Sequence, residues 1–117
     1  MPESDAPRRA DGVSLEMAEE RTNRGKRVLR VRGDVDLDSV SEFRERMVSL
    51  LSEERSDVTV DLSDLEFIDS TGLGALVGAL KRYRNEGLDL YVTPPTRPAV
   101  RRVFNIAGLD RVFAVAG

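Results

Sequence analysis

Between Asp57 and Tyr83 the hydrophobic pattern changes period once, and that change constrains the architecture more than any other feature of the chain. Val58, Val60 and Leu62 alternate with Asp57, Thr59 and Asp61, the repeat of two that marks a half-buried strand. Leu73, Leu76, Val77, Leu80 and Tyr83 then recur at the spacing of a helix face, about 3.6 residues per turn. A short connection through Ser63-Asp64-Leu65-Glu66 leads to the junction, Phe67-Ile68-Asp69-Ser70-Thr71-Gly72-Leu73-Gly74. A helix start leaves backbone N–H groups unpaired, and Asp, Ser and Thr supply oxygens that accept from them. The spacing predicts a helix over 70–85, with Lys81, Arg82 and Arg84 at its negative end and Gly87 beyond it.

The same reading extends to the rest of the chain. Residues 1–12 hold prolines and charges with almost no large apolar side chain, and are expected to form a flexible tail preceding one domain over 13–117. Val13, Leu15 and Met17 alternate with polar neighbours. The turn-like Thr22-Asn23-Arg24-Gly25 separates them from Leu29 and Val31 in the segment from Val28 to Arg32, which predicts a hairpin. An acidic loop, Gly33-Asp34-Val35-Asp36-Leu37-Asp38, enters a helix ending near Glu54. Ser39 and Glu42 have capping-box spacing there, and Val40, Phe43, Met47 and Leu50 share one face. Leu88, Leu90 and Val92 predict a further strand, and Pro98 suits the first position of a helix whose apolar face is Val100, Val103, Phe104 and Ala107, closed by Gly108. Arg111 to Val115 reads as a last strand or an extended cover. Alternation after an opening hairpin predicts an α/β domain: a single mixed sheet of four to five strands with three or more helices packed on it.

Composition narrows the chemistry. With no cysteine and no histidine among 117 residues, disulfides, thiolate metal sites, cysteine nucleophiles and imidazole bases are excluded. Ser70 is not in a G-x-S-x-G elbow, and neither G-x-G-x-x-G nor a P-loop occurs, so neither a catalytic residue nor a cofactor is expected. Asp69, Thr71, Lys81, Asp34 and Asp36 are residue types of an aspartyl-phosphate receiver, but their spacing and the opening hairpin do not fit one. A net charge of −3 without a basic stripe argues against direct nucleic-acid binding. The longest uncharged stretch, Ser70 to Leu80, is too short to span a bilayer, and the expectation is a soluble, cytoplasmic protein with no membrane partner. Asp34, Asp36 and Asp38 lack the glycine and terminal Glu of a calcium loop, so no metal is expected.

Two features remain for function. Opposite Leu73, Val77 and Leu80, the second helix presents Thr71, Gly74, Ala75 and Gly78 before its first charge, small residues that let another backbone approach, either within this domain or from a partner. Ser70 and Thr71 are helix caps on the plainest reading. A hydroxyl at an exposed helix start also suits a regulated phosphate, whose charge of about −1.5 to −2 would disrupt a complex beside Asp69.

The block Ile68-Asp69-Ser70-Thr71-Gly72-Leu73-Gly74, preceded by Val58-Thr59-Val60-Asp61-Leu62 and followed by Ala99-Val100-Arg101-Arg102-Val103-Phe104 through Gly108-Leu109, resembles the STAS-domain family, specifically its stand-alone bacterial anti-sigma-factor antagonists, over about Val13 to Val115. The resemblance implies a non-enzymatic module that binds an anti-sigma factor that is also a serine kinase, so that sigma factor is released. It implies phosphorylation at Ser70, with Thr71 as second choice, and a phosphatase that restores the active form. Gly33-Asp34-Val35-Asp36 resembles the family's G-E-[LI]-D loop, with Asp34 in place of Glu and Val35 in place of Leu or Ile. The expected partner surface is Asp34, Asp36, Asp69, Ser70, Thr71, Gly72, Gly74, Ala75 and Gly78. The alternative carried by the same family is a subunit of a transport complex or of a multiprotein stress-signalling assembly.

Overall fold

The computed structural model describes residues 15–113, so the expected tail over residues 1–12, the start of the first strand at Val13 and residues 114–117 lie outside the described residues. Within them the order is β1 (Leu15–Arg21), β2 (Arg27–Val35), α1 (Val40–Glu53), β3 (Val58–Ile68), α2 (Ser70–Asn85), β4 (Leu90–Thr93), α3 (Pro98–Ile106) and α4 (Leu109–Val112). The strands form one sheet in the order β1-β2-β3-β4, with β1 antiparallel to β2 and the other pairs parallel. This is the mixed α/β sheet that the alternation predicts.

Period two decides which sheet face is covered. Leu29 and Val31 of β2, Val58, Val60 and Leu62 of β3, and Leu90 and Val92 of β4 are all buried in one cluster with the helices. Their neighbours Val28, Arg30, Thr59, Asp61, Tyr91 and Thr93 line a depression of about 810 Å³ on the opposite face. Helix α1 buries Val40, Phe43, Met47, Leu50 and Leu51. It packs on α2, where the Tyr83 hydroxyl donates to the Met47 carbonyl at 2.8 Å and burial pushes the phenol up to about 12.

Several expectations are corrected. The segment Ser63–Glu66 is not a connection, because β3 runs on to Ile68. Two register shifts in the β2–β3 ladder allow it: pairing passes from Arg30↔Asp61 to Arg32↔Asp64, and from Gly33↔Leu65 to Asp34↔Phe67. Each shift places an extra β3 residue in the ladder, so the inward phase moves from Leu62 to Leu65 and then to Ile68. The acidic loop is likewise shorter than expected, because β2 includes Gly33, Asp34 and Val35. Gly33 adopts φ 95° at the second irregularity, a conformation that side chains with a Cβ rarely take. Ser39 makes no cap with its side chain, so the expected capping box does not form. In α3 only Val100 and Phe104 are buried, and Val103 is exposed, because this short helix meets the sheet along one narrow line. Arg111 and Val112 belong to α4 rather than to a strand or an extended cover, its first turn entered through Gly108 at φ 78°.

Candidate functional site

The parallel strands β2 and β3 end side by side, with Val35 opposite Ile68, and the chain leaves each through an aspartate. After β3, Asp69 is extended and caps α2: its Oδ1 accepts from the N–H groups of Thr71 (3.0 Å) and Gly72 (3.1 Å) and from the Thr71 hydroxyl (2.6 Å). The hydroxyl, ahead of those two N–H groups, holds the Asp69 carboxyl below its ordinary value, while burial opposes it. The Asp69 N–H donates to the Val35 carbonyl at 3.2 Å, which ties the helix start to the neighbouring strand end.

After β2, Asp36 organises a turn. Its Oδ1 accepts from the N–H groups of Asp38 (3.0 Å) and Ser39 (3.1 Å). The buried Ser39 hydroxyl donates to the Asp34 carbonyl at 2.9 Å and accepts from the Asp36 N–H at 3.0 Å. This explains the missing capping box: the Ser39 oxygen is used to fold the chain back on the strand end.

The adjacent hydroxyls therefore differ. Thr71 is half-buried, with its hydroxyl committed to Asp69. Ser70 is exposed, and its hydroxyl has no hydrogen-bond partner among the described residues. Spacing alone does not distinguish the two hydroxyls; in the structure they differ in exposure and in partner.

The expected partner surface is only partly assembled. Asp34, Asp36, Asp69, Ser70 and Thr71 meet at the ends of β2 and β3, and Gly74 and Gly78 lie exposed along α2, with nothing within 4 Å of an added Cβ. Gly72 and Ala75 do not belong to the outer face. Ala75 is 2% exposed in the core, and a Cβ on Gly72 would come within 2.7 Å of side-chain atoms of both Ile68 and Val35. Because α2 packs on α1 as well as on the sheet, it buries a broad sector through Gly72, Ala75, Leu76, Ala79, Leu80 and Tyr83. Leu73 and Val77, expected in its buried stripe, are its partly buried shoulders. The small residues on that side serve close packing within the domain.

Two large apolar side chains at the same rim escaped the sequence reading. Leu37, in the Asp36 turn, is 73% exposed, and Phe67, whose Cα pairs with that of Asp34, is 47% exposed. Phe67 would face inward if alternation simply continued from Leu65; the irregularity at Glu66 turns it outward. Its position directly before the core-like Ile68 was the available signal. Among the described residues no cluster of carboxylates is arranged to hold a metal ion, and no helix is long and apolar enough to cross a membrane.

Comparison with known proteins identifies relatives of the domain as a whole. The family described as "Mlab, STAS domain" matches residues 18–115. An anti-sigma-B factor antagonist of Staphylococcus epidermidis is 36% identical over 87 residues, covering 74% of this chain and 80% of that protein. Its counterpart from Bacillus subtilis is 31% identical over 86 residues, covering 74% of this chain and 77% of that protein. Among solved structures, an anti-sigma factor antagonist from Mycobacterium paratuberculosis superposes with a TM-score of 0.76 at 25% identity, covering 87% of this chain and 85% of that one.

Proposed function

The chain belongs to the STAS-domain family, and from that premise we propose that it is an anti-sigma factor antagonist whose partner is an anti-sigma serine kinase and whose switch is Ser70. The names of its relatives support the antagonist role. The observation that carries the switch is the contrast between an exposed, unpartnered Ser70 hydroxyl and a Thr71 hydroxyl held by Asp69 at 2.6 Å. A kinase must take its acceptor oxygen into its own site, and Ser70 surrenders no cap by going there.

In the proposed reaction the Ser70 oxygen attacks the γ-phosphorus of ATP, the bond to the β-phosphate oxygen breaks, ADP leaves and the hydroxyl proton passes to a base of the kinase. The nucleotide and its magnesium are the kinase's. The effect on the complex follows from the cap. Asp69 already accepts from the Thr71 and Gly72 N–H groups, so a phosphate on Ser70 is not needed to satisfy them. Instead it adds about −1.5 to −2 charge beside Asp69 and the Asp36 turn, and burying that charge in a protein interface is unfavourable. The complex ends without refolding, and a phosphatase that removes the phosphate restores binding.

The test is to incubate the protein with ATP and the serine-kinase anti-sigma factor of the same organism and to locate phosphate by mass spectrometry. Modification of Ser70 in the wild type and none in Ser70→Ala is expected. Labelling that persists in Ser70→Ala overturns the assignment. Stable association with the kinase whether or not Ser70 is modified would favour the permanent subunit role instead.

A further inference from the structure

Resting on that function, we infer that Leu37 and Phe67 are the apolar anchors of the docking surface, and that the kinase receives them in an apolar pocket edged by lysine or arginine. Both side chains are large, and both stand out at the ends of β2 and β3: Leu37 is 73% exposed and Phe67 47%. Neither lies on a loose loop. Leu37 sits inside a turn whose backbone is pinned by the Asp36 carboxylate on Asp38 and Ser39, and Phe67 is in register with Asp34 within the β2–β3 ladder. Apolar side chains held rigidly in solvent lose little conformational freedom when a partner covers them, which is the property of an interface anchor.

The charge around them selects the kind of partner. Asp36 and Asp38 flank Leu37, Glu66 precedes Phe67, and Asp69 lies two residues beyond it. The cation paired here, Arg97, reaches Glu66 only at 3.9 Å with both side chains more than half exposed. An acidic ring repels an anionic lipid surface, nucleic acid and a second copy of the same rim, and it attracts a basic protein surface. Ser70 is one residue past Asp69, so phosphorylation delivers its charge to the edge of the apolar contact.

The experiment measures binding of the purified kinase to wild-type protein and to Leu37→Ala, Phe67→Ala, Asp38→Asn and, as a control at the C-terminal end of helix α3, Ile106→Ala, which removes a side chain 78% exposed. Each anchor variant should raise Kd by about 10- to 100-fold with an unchanged melting temperature, and Ile106→Ala should stay within about twofold. Asp38→Asn should slow association and weaken its dependence on salt. If Phe67→Ala melts early, Leu37→Ala decides alone, because a turn side chain so exposed supports little of the core. Tight binding by Leu37→Ala overturns the anchor while leaving the function standing. Failure of the wild type to bind the kinase overturns both, and so separates the two.

Discussion

At the end of the sheet where the parallel strands begin, charge is consumed internally. Arg27, only 8% exposed, donates to the Leu50 carbonyl at 2.8 Å and the Glu54 carbonyl at 2.9 Å, closing the C-terminus of α1. Around it Arg21 meets Glu54 at 2.7 Å, and Arg55 bonds both the side chain and the carbonyl of Glu86. At the other end, where β2 and β3 finish, hydrogen bonds are spent on backbone turns around Asp36 and Asp69. The side chains of Leu37, Phe67 and Ser70 are left outside. The first end uses its polar groups to hold helices on the sheet. The second pins its backbone in turns and presents side chains, as the proposed recognition surface requires.

If the division holds, substitutions at the first end should cost stability without touching recognition. The largest effect is expected from Arg27→Ala, which leaves the α1 carbonyls without their buried donor and should remove about 3 kcal/mol in urea unfolding. Kinase affinity, measured where the variant is folded, should be unchanged; a matching loss of affinity would break the comparison.

Gly72→Ala comes next and shows where the boundary runs. The added Cβ would lie 2.7 Å from side-chain atoms of Ile68 and Val35, so about 2 kcal/mol of overpacking is expected in the same assay. Wild-type stability would return Gly72 to the outer surface.

Asp69→Ala should cost about 1 kcal/mol through the lost cap. The pH dependence has a definite sign. The Asp69 carboxyl is lowered in the folded state, so its contribution is present above the ordinary carboxylate value and is lost as pH falls through the lower folded value. The gap between wild type and Asp69→Ala should therefore narrow under acid, and a gap that widened would refute the cap. Gly78→Glu has the smallest expected effect on stability, within about 0.5 kcal/mol, because nothing lies within 4 Å of the new Cβ. It should nevertheless weaken kinase binding by placing charge on the exposed side of α2.

The fold was legible where one period ran undisturbed. Val58, Val60 and Leu62 and the α1 face through Val40, Phe43, Met47 and Leu50 are buried as their spacing predicts. What escaped the sequence was structure that interrupts a period. Two irregularities rephase β3, so Ser63–Glu66 looked like a connection and the outward turn of Phe67 went unread. Ala75 was misplaced because small residues fit equally a partner's backbone and the close packing of α2 on α1 and the sheet. For the site, the motif located Ser70 and Thr71 together and the family resemblance ranked Ser70 first; the physical contrast between them, the Thr71 hydroxyl's bond to Asp69, is encoded by no spacing.

The central claim is that phosphate on Ser70 ends recognition through charge at a rigid rim. Its most direct measurement is the affinity of the kinase for the same preparation before and after stoichiometric phosphorylation, with thermal melts of both forms. The account predicts a Kd raised by at least about tenfold with the melting temperature unchanged. Equal affinity of the two forms, or affinity lost only together with the fold, would contradict it.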